Sequence, residues 1–225
     1  MGTLAVPLLA MVMSAVTAAA LLLPIYVASD LVGLYLYRRT YSPENLRILI
    51  PAGLLGVSVG WQFSANLSSD FIAMLVGLVG LLFCLNTWFG EVVRKAIGKQ
   101  DARLLPGLFW GTLTGLTSFV SHSGAATYQM YVLPQRLEKM KFAGTSTILF
   151  AIINAAKIFP YWELKQFDHL NVTLIYSLMP CAIAGTIAGR WLTQRLPDGI
   201  FFRAIQITLF GLSIKLIWDY LASIA

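Results

Sequence analysis

Long apolar runs separated by short basic connectors make up almost the whole chain, and they predict helices that cross a lipid bilayer. Each of the six runs holds close to the roughly 20 residues that a transmembrane helix needs. Because backbone polar groups must be satisfied within the segment in lipid, we expect an all-α polytopic membrane fold. A shorter apolar segment at residues 3–15 precedes the runs. The predicted spans cover residues 17–37, 46–63, 71–89, 142–162, 172–192 and 200–221.

The apolar segment at residues 106–134 differs from these spans because polar and flexible residues interrupt its middle. The interruption is Ser121-His122-Ser123-Gly124. Polar groups inside hydrocarbon are costly and usually have a function. The segment either crosses the membrane with a broken helix, or enters, turns at the interruption and leaves on the side from which it came.

The basic residues of the connectors decide between these two topologies. A complete crossing divides them eight against six, whereas a re-entrant hairpin places thirteen on one side and leaves Lys165 alone on the other. The second distribution is the asymmetry of the positive-inside rule, so we expect a hairpin that opens to the cytoplasm. The thirteen residues are Arg38, Arg39, Arg47, Arg94, Lys95, Lys99, Arg103, Arg136, Lys139, Lys141, Arg190, Arg195 and Arg203.

Composition supports a membrane protein and excludes several other classes. Charged residues make up 12% of the chain and hydrophobic residues 58%, with a mean hydropathy of +0.74, whereas a soluble domain carries about 25% charged residues. The net charge of +6 is an orientation signal, so we expect no nucleic-acid partner. Cys84 and Cys181 lie in apolar runs, and His122 and His169 have no cysteine near them. We therefore expect no disulfide framework, no metal and no cofactor.

The two halves of the chain resemble each other. A Pro-x4-Gly-x3-Gly pattern with a following Trp begins at Pro51 and recurs at Pro180, an offset of 129 residues. We expect two inverted repeats, each a broken or re-entrant segment plus three transmembrane helices, with the substrate site between them. The repeats cover residues 1–95 and 106–225, with a cytoplasmic connector at 96–105. The alignment also predicts that the first repeat is N-terminally incomplete by about a half-helix.

Lys157 is the most informative charge because it lies inside a predicted span, where an ionised group costs on the order of 3 kcal/mol. It is expected to face a cavity or a partner. One interpretation is that it neutralises a substrate anion. The other is a structural ion pair with Asp30, which the repeat places near Asn154. The two coexist if substrate and Asp30 compete for the lysine.

The helix break itself is a candidate anion site. Unpaired backbone N–H groups and the positive dipole end of the second half-helix attract an anion without a dedicated side chain. His122 either carries protons, since its unperturbed pKa is near 6.5, or hydrogen-bonds the broken backbone. We assign Gly107, Gly111 and Gly115 to close helix packing. The remaining candidates for a polar lining are Ser121, Ser123, Gly124, Gln129, Thr145 and Ser146.

Several of these motifs together resemble the TauE/SafE sulfite exporter family of bacterial membrane proteins. The first half is also similar, from Gly2 to Asp30. Where such sequences often carry Gly-Gly after the histidine, this chain has Gly124-Ala125. The motifs are Gly107-x3-Gly111-x3-Gly115-Leu116-Thr117-Ser118, His122-x-Gly124, Gln129-x-Tyr131-x-Leu133-Pro134-Gln135, Gly144-Thr145-Ser146 and Asn154-x2-Lys157.

The resemblance implies a transporter rather than an enzyme. It implies movement of sulfite, sulfonate or related organic anions across the bacterial inner membrane. The inverted repeat predicts a midplane site with alternating access. The expected partners are a small anionic substrate and the lipid bilayer, and a homodimer stays open. Two alternatives also stay open: an intramembrane serine hydrolase that uses Ser123, and a channel or non-transporting membrane subunit.

Overall fold

The computed structural model describes residues 5–9, 13, 15–63, 74, 77–78, 80–81, 84–85, 88, 100–122, 124–168 and 170–224. The described elements are helical throughout. Most of the predicted span at 71–89 lies outside these residues, as do Ser123 and His169. The helices are α1 (Ala5–Leu9), α2 (Ala15–Tyr37), α3 (Pro43–Gln62), α4 (Leu104–Ser121), α5 (Gly124–Val132), α6 (Lys139–Glu163), α7 (Val172–Arg195) and α8 (Asp198–Ile224), with a 3₁₀ turn at Leu133–Gln135.

Four of the described helices are long and apolar enough to cross a membrane, which confirms an all-α polytopic membrane protein. They are α2, α6, α7 and α8. Only 6% of the most apolar window of α7 is buried inside the molecule, against 44% for both α2 and α6. The apolar surface of α7 therefore faces outward, as expected of a helix that lipid covers.

The interrupted segment folds as a re-entrant hairpin, as the loop charges predicted. Its two arms, α4 and α5, are separated at His122, which has the left-handed conformation φ 53°, ψ 20°. Near the tip, the hydroxyls of Thr114 and Thr127 lie 3.0 Å apart across the arms. At the open end, Tyr131 Oη donates to the carbonyl of Arg103 over 3.0 Å. The chain therefore returns to the end from which it entered.

The connectors on either side of the hairpin meet at one end of the molecule, which we call the basic end (residues 38–42, 100–103, 133–141 and 190–198). Arg190 shares a pocket with Arg38 and Arg39. The backbone N–H of Ser42 donates to Thr145 Oγ1 over 2.8 Å, and other bonds tie Lys139 to Leu196 and Asp198. If the segment at 106–134 crossed the membrane completely, the connectors before and after it would lie on opposite faces.

The helices of the two halves run in opposite directions relative to the basic end. α2 runs toward it and α3 away from it, whereas α6 runs away from it and α7 toward it. α2 packs on α6 and α7, and α6 packs on α2 and α3. α2 and α6 therefore form the centre of the described bundle, with the hairpin against α3.

Glycines create the close contact between α3 and the first hairpin arm. A methyl group added at Gly115 would lie 1.9 Å from the carbonyl oxygen of Gly53. Apolar burial does not drive helix association in lipid, so backbones that approach closely supply much of the packing. The predicted packing role of Gly107, Gly111 and Gly115 is confirmed, since a methyl group at any of the three would clash with α3.

Candidate functional site

Polar side chains from three helices meet at the tip of the hairpin. The first arm ends here at His122, α6 contributes Asn154 and Lys157, and α2 contributes Asp30 and the aromatic ring of Tyr26. We call His122, Lys157, Ser118, Asn154 and Asp30 the tip cluster. Four of these side chains are at most 6% exposed, Asp30 being the exception.

Lys157 is fully buried, and its ammonium has three neighbours at hydrogen-bonding distance. The Nζ atom lies 3.0 Å from the carbonyl oxygen of Ser118 and 3.1 Å from Ser118 Oγ. It also lies 3.0 Å from His122 Nδ1. A protonated lysine has three donors and no acceptor, so these contacts use all of its hydrogens. The alternative interpretation of Lys157, a direct ion pair with Asp30, is wrong, because the two ion pairs among the described residues join other groups.

The position of Lys157 follows from the end of the first hairpin arm. The last carbonyls of a helix have no partner within it and carry partial negative charge. Lys157 binds the Ser118 carbonyl, and Tyr161, one turn further along α6, donates to the carbonyl of Phe119 over 2.7 Å. α6 therefore caps a helix that ends inside the molecule.

His122 is held at one ring nitrogen, and the other forms no hydrogen bond of ordinary geometry with a described group. Nδ1 faces Lys157, and the ring packs edge-on against Tyr26 at a centroid distance of 5.2 Å. Nε2 is buried without a partner among the described groups. The backbone of Ala19 lies beside the ring but forms no hydrogen bond of ordinary geometry with Nε2. Neither nitrogen bonds a described backbone group of the hairpin, and Ser123 lies outside the described residues, so that interpretation of His122 stays a prediction.

Asp30 and Asn154 form the second half of the tip cluster. Asn154 Nδ2 donates to Asp30 Oδ2 over 2.8 Å, which confirms the predicted proximity of the two residues. Asn154 is one turn before Lys157 on α6. The carboxylate is therefore held by an amide rather than by the lysine, and the buried cation keeps no acidic group in direct contact.

The comparison with protein families agrees with this arrangement of buried polar groups in a bundle of apolar helices. The model of the family described as "Sulfite exporter TauE/SafE" matches residues 1–216. The chain belongs to the TauE/SafE family. Comparison with curated proteins and with solved structures gives no significant match. The resemblance of the motifs is thereby confirmed: this TauE/SafE protein is a membrane transporter for sulfur-containing anions and not an enzyme.

Two hydroxyl residues predicted for the substrate site lie elsewhere in the TauE/SafE chain. Thr145 is twelve residues before Lys157 on α6, about 18 Å along the helix axis. Its hydroxyl donates to the carbonyl of Lys141 and accepts from the N–H of Ser42. Ser146 follows it at the same end of α6. The structure does not bring either residue to the tip cluster.

None of the hairpin residues predicted for the polar lining, apart from His122, has a described hydrogen bond to a side chain of the tip cluster. A methyl group at Gly124 would lie 2.6 Å from the carbonyl oxygen of Thr114, so this glycine lets the arms pack together. Gln129 Oε1 is buried without a hydrogen-bond partner among the described groups. The side chain of Ser121 and the whole of Ser123 lie outside the described residues.

A second buried polar group lies at the basic end, and sequence reasoning missed it. The side-chain amides of Asn45 and Gln135 bind each other reciprocally, over 2.8 and 3.0 Å. Asn45 also donates to Ser42 Oγ over 3.0 Å, and the Ser42 N–H binds Thr145. We call Asn45, Gln135, Ser42 and Thr145 the mouth cluster. It ties the start of α3 to the end of the hairpin and to α6.

Sequence reasoning also missed three residues around the tip cluster: Ser118, Tyr26 and Tyr161. All three had a signal in their spacing. Ser118 precedes His122 by four residues and Tyr161 follows Lys157 by four residues, so each shares a helix face with a predicted site residue. Tyr26 has the same spacing before Asp30.

Proposed function

We propose that this TauE/SafE protein binds its sulfur-containing anion at the tip cluster, with His122 Nε2–H as the donor that meets the anion. The observation that carries the proposal is the buried Nε2, which has no hydrogen bond of ordinary geometry among the described groups. Buried polar atoms nearly always have a partner, and a missing one in a transporter is an expected feature of a ligand position. The substrates are sulfite, sulfonate or related organic anions.

Lys157 acts on the anion through His122 rather than by direct contact. Its ammonium donates to Nδ1, and an imidazole nitrogen that accepts a hydrogen bond carries no proton in the neutral ring. The ring proton is then on Nε2, which leaves a donor pointing away from the lysine. The lysine charge is buried without a carboxylate in contact, and this positive field favours an anion beside the ring. Lys157 is a positioning residue with an electrostatic role.

Two features of the fold support a site between two inverted repeats that works by alternating access. Corresponding helices run in opposite directions, α2 against α6 and α3 against α7. Pro51 and Pro180 each lie eight residues after the first residue of their helix, as the predicted repeat requires. The tip cluster takes residues from α2 on one side and from the hairpin and α6 on the other. Relative rocking of the two halves would open it to each face in turn.

Transport in proteoliposomes tests the proposal, with sulfite, a small alkylsulfonate and a carboxylate of similar size as substrates. We expect Lys157→Met to reduce sulfur-anion flux at least tenfold, because a hydrogen bond to a charged group is worth about 1.5–3 kcal/mol. Lys215→Met is the matched control, since Lys215 lies on α8 and pairs with Asp219 away from the tip. Movement of none of the sulfur anions, or equal flux in wild type and Lys157→Met, would refute the site.

Lys157→Met also removes a helix cap, so its folding needs a separate check. Lys157→Arg keeps the charge and the capping donor. We expect it to unfold at a temperature close to that of the wild type and to transport more than Lys157→Met. If both variants fold like the wild type and transport equally poorly, the geometry around Nδ1 matters more than the charge.

A further inference from the structure

A pocket of three arginines opens at the basic end, on the outer side of the bundle. Its volume is about 240 Å³, and six residues line it. No acidic residue is among them, and none of the arginines belongs to an ion pair between described residues. The lining residues are Tyr35, Leu36, Arg38, Arg39, Thr40 and Arg190.

Aromatic rings and a helix end hold two of these arginines in place without neutralising them. The Arg38 guanidinium lies 4.1 Å from the centre of the Tyr35 ring and donates to the Tyr35 carbonyl over 3.0 Å. The Arg190 guanidinium lies 5.0 Å from the centre of the Tyr37 ring. Cation–π contacts orient a guanidinium and leave its charge available. Anchoring of α2 at the membrane interface therefore accounts for the presence of Arg38. It does not account for the charge of Arg190, which lies on α7.

Two polar atoms at the pocket are buried and have no hydrogen-bond partner among the described groups. They are Arg190 Nη1 and Thr40 Oγ1. Thr40 is fixed in position, because its carbonyl packs against Gly144 so closely that a methyl group there would lie 1.7 Å from the oxygen. Both atoms are able to donate a hydrogen bond. A phosphate group, with several acceptor oxygens and negative charge, fits this donor set.

An apolar groove lies along the exposed side of α7, on the N-terminal side of Arg190. It is an open depression of about 480 Å³, lined by residues of α7 between Tyr176 and Ile187. This distance is about 16 Å along a helix, close to the half-thickness of the hydrocarbon core at about 15 Å. Ile187 precedes Arg190 by three residues, so groove and pocket share one face of α7. Tyr35 and Trp191, 66% and 52% exposed, flank the pocket as interfacial aromatic residues do.

We propose that this face holds an anionic phospholipid, with its phosphate in the arginine pocket and an acyl chain in the α7 groove. Basic pockets between transmembrane helices at the membrane surface recognise lipid headgroups. The lipid supplies acceptors for Arg190 Nη1 and Thr40 Oγ1 and covers the apolar surface below them. The site is separate from the tip cluster and does not depend on the transported anion.

Native mass spectrometry of the full chain, purified with phosphatidylglycerol or with phosphatidylcholine, tests the headgroup. We expect the wild type to retain phosphatidylglycerol in preference. Arg190→Gln is expected to lower that retention about tenfold, the equivalent of about 1.4 kcal/mol. Arg203→Gln is the control, because Arg203 is exposed on α8 and outside the pocket, and we expect no change. Equal retention of both lipids, or of phosphatidylglycerol by wild type and Arg190→Gln, would overturn the proposal.

Two further experiments distinguish a bound phospholipid from soluble phosphate and from a second copy of the chain. Ala184→Phe fills the groove and leaves the arginines intact, and we expect it to weaken lipid retention. If inorganic phosphate displaces phosphatidylglycerol and Ala184→Phe retains it fully, the pocket is a site for soluble phosphate and the lipid proposal fails. It also fails if the protein is a dimer that retains no lipid, since a second copy then covers the groove. Should Arg190→Gln not fold, Thr40→Val and Arg39→Gln carry the same test.

Discussion

The tip cluster and the mouth cluster are both buried and polar, yet they are built in opposite ways. In the mouth cluster the amides of Asn45 and Gln135 bind each other, and Ser42 and Thr145 complete the set without a charged side chain. The tip cluster holds a buried cation, a carboxylate and an imidazole nitrogen that lacks a hydrogen-bond partner among the described groups. A complete neutral set fixes helices, whereas an incomplete charged set has a place for a ligand.

The difference also follows from where each cluster lies. The mouth cluster joins connectors at the basic end, where the chain must be held in a defined path between helices. The tip cluster lies where a helix ends inside the bundle, so it must cap carbonyls and also contains the unpartnered Nε2. Lys157 combines both roles, since the contacts that cap α4 also orient His122. If the proposed site is correct, packing and transport are coupled at the tip and separate at the mouth.

The largest expected effect on transport, beside that of Lys157→Met, comes from removing the His122 ring. His122→Asn retains a residue that tolerates the left-handed backbone but lacks Nε2. We expect flux to fall about tenfold, with little change in the temperature of unfolding. Flux assays in proteoliposomes and thermal unfolding of the same preparations check this. Unchanged flux would place the anion elsewhere and make the tip as structural as the mouth.

The mouth cluster is expected to give the opposite pattern, a loss of stability without a loss of substrate affinity. Gln135→Leu leaves the buried Asn45 amide unpaired, at a cost of about 1–3 kcal/mol. The double variant with Asn45→Leu should unfold at a higher temperature than Gln135→Leu, because no amide is left unpaired. Thermal unfolding and the KM for transport are the measurements. A raised KM in these variants would remove the distinction between the two clusters.

Thr145→Val sharpens the comparison at a residue that the motif placed in the substrate site. The hydroxyl accepts from the Ser42 N–H, so its loss is expected to destabilise the fold by about 1 kcal/mol. We expect the KM for sulfur anions to stay within a factor of two. A larger change in KM than in unfolding temperature would return Thr145 to the transport path.

Ser123→Ala is expected to have the smallest effect. A transporter should retain most of its flux, because the proposed site needs no nucleophile. An intramembrane serine hydrolase would instead lose all turnover. The variant is compared with wild type in the same flux assay, and complete loss of function would contradict the transporter mechanism proposed for the tip.

The hydrophobic pattern and the distribution of charge along the sequence were sufficient to predict much of the fold. Six apolar runs and the thirteen-to-one distribution of basic connector residues predicted the hairpin, since charges avoid the membrane interior wherever the residues lie in space. The glycines of the first arm predicted a close helix contact for a similar local reason, namely the absence of a side chain. These properties belong to single segments and do not depend on which helices become neighbours.

The contacts of the candidate site depended on tertiary structure. The sequence placed Lys157 inside a span and Asp30 near Asn154. Only the packing of α6 against the end of α4 made Ser118 and His122, rather than the carboxylate, the partners of the lysine. In the same way, a signature threonine at residue 145 became part of the mouth cluster because the α2–α3 connector passes beside it. Hydrogen-bond partners are set by distances of about 3 Å between groups far apart in sequence. The sequence by itself determined where the helix breaks, and the packing of three helices around that break decided which groups remain unpartnered there.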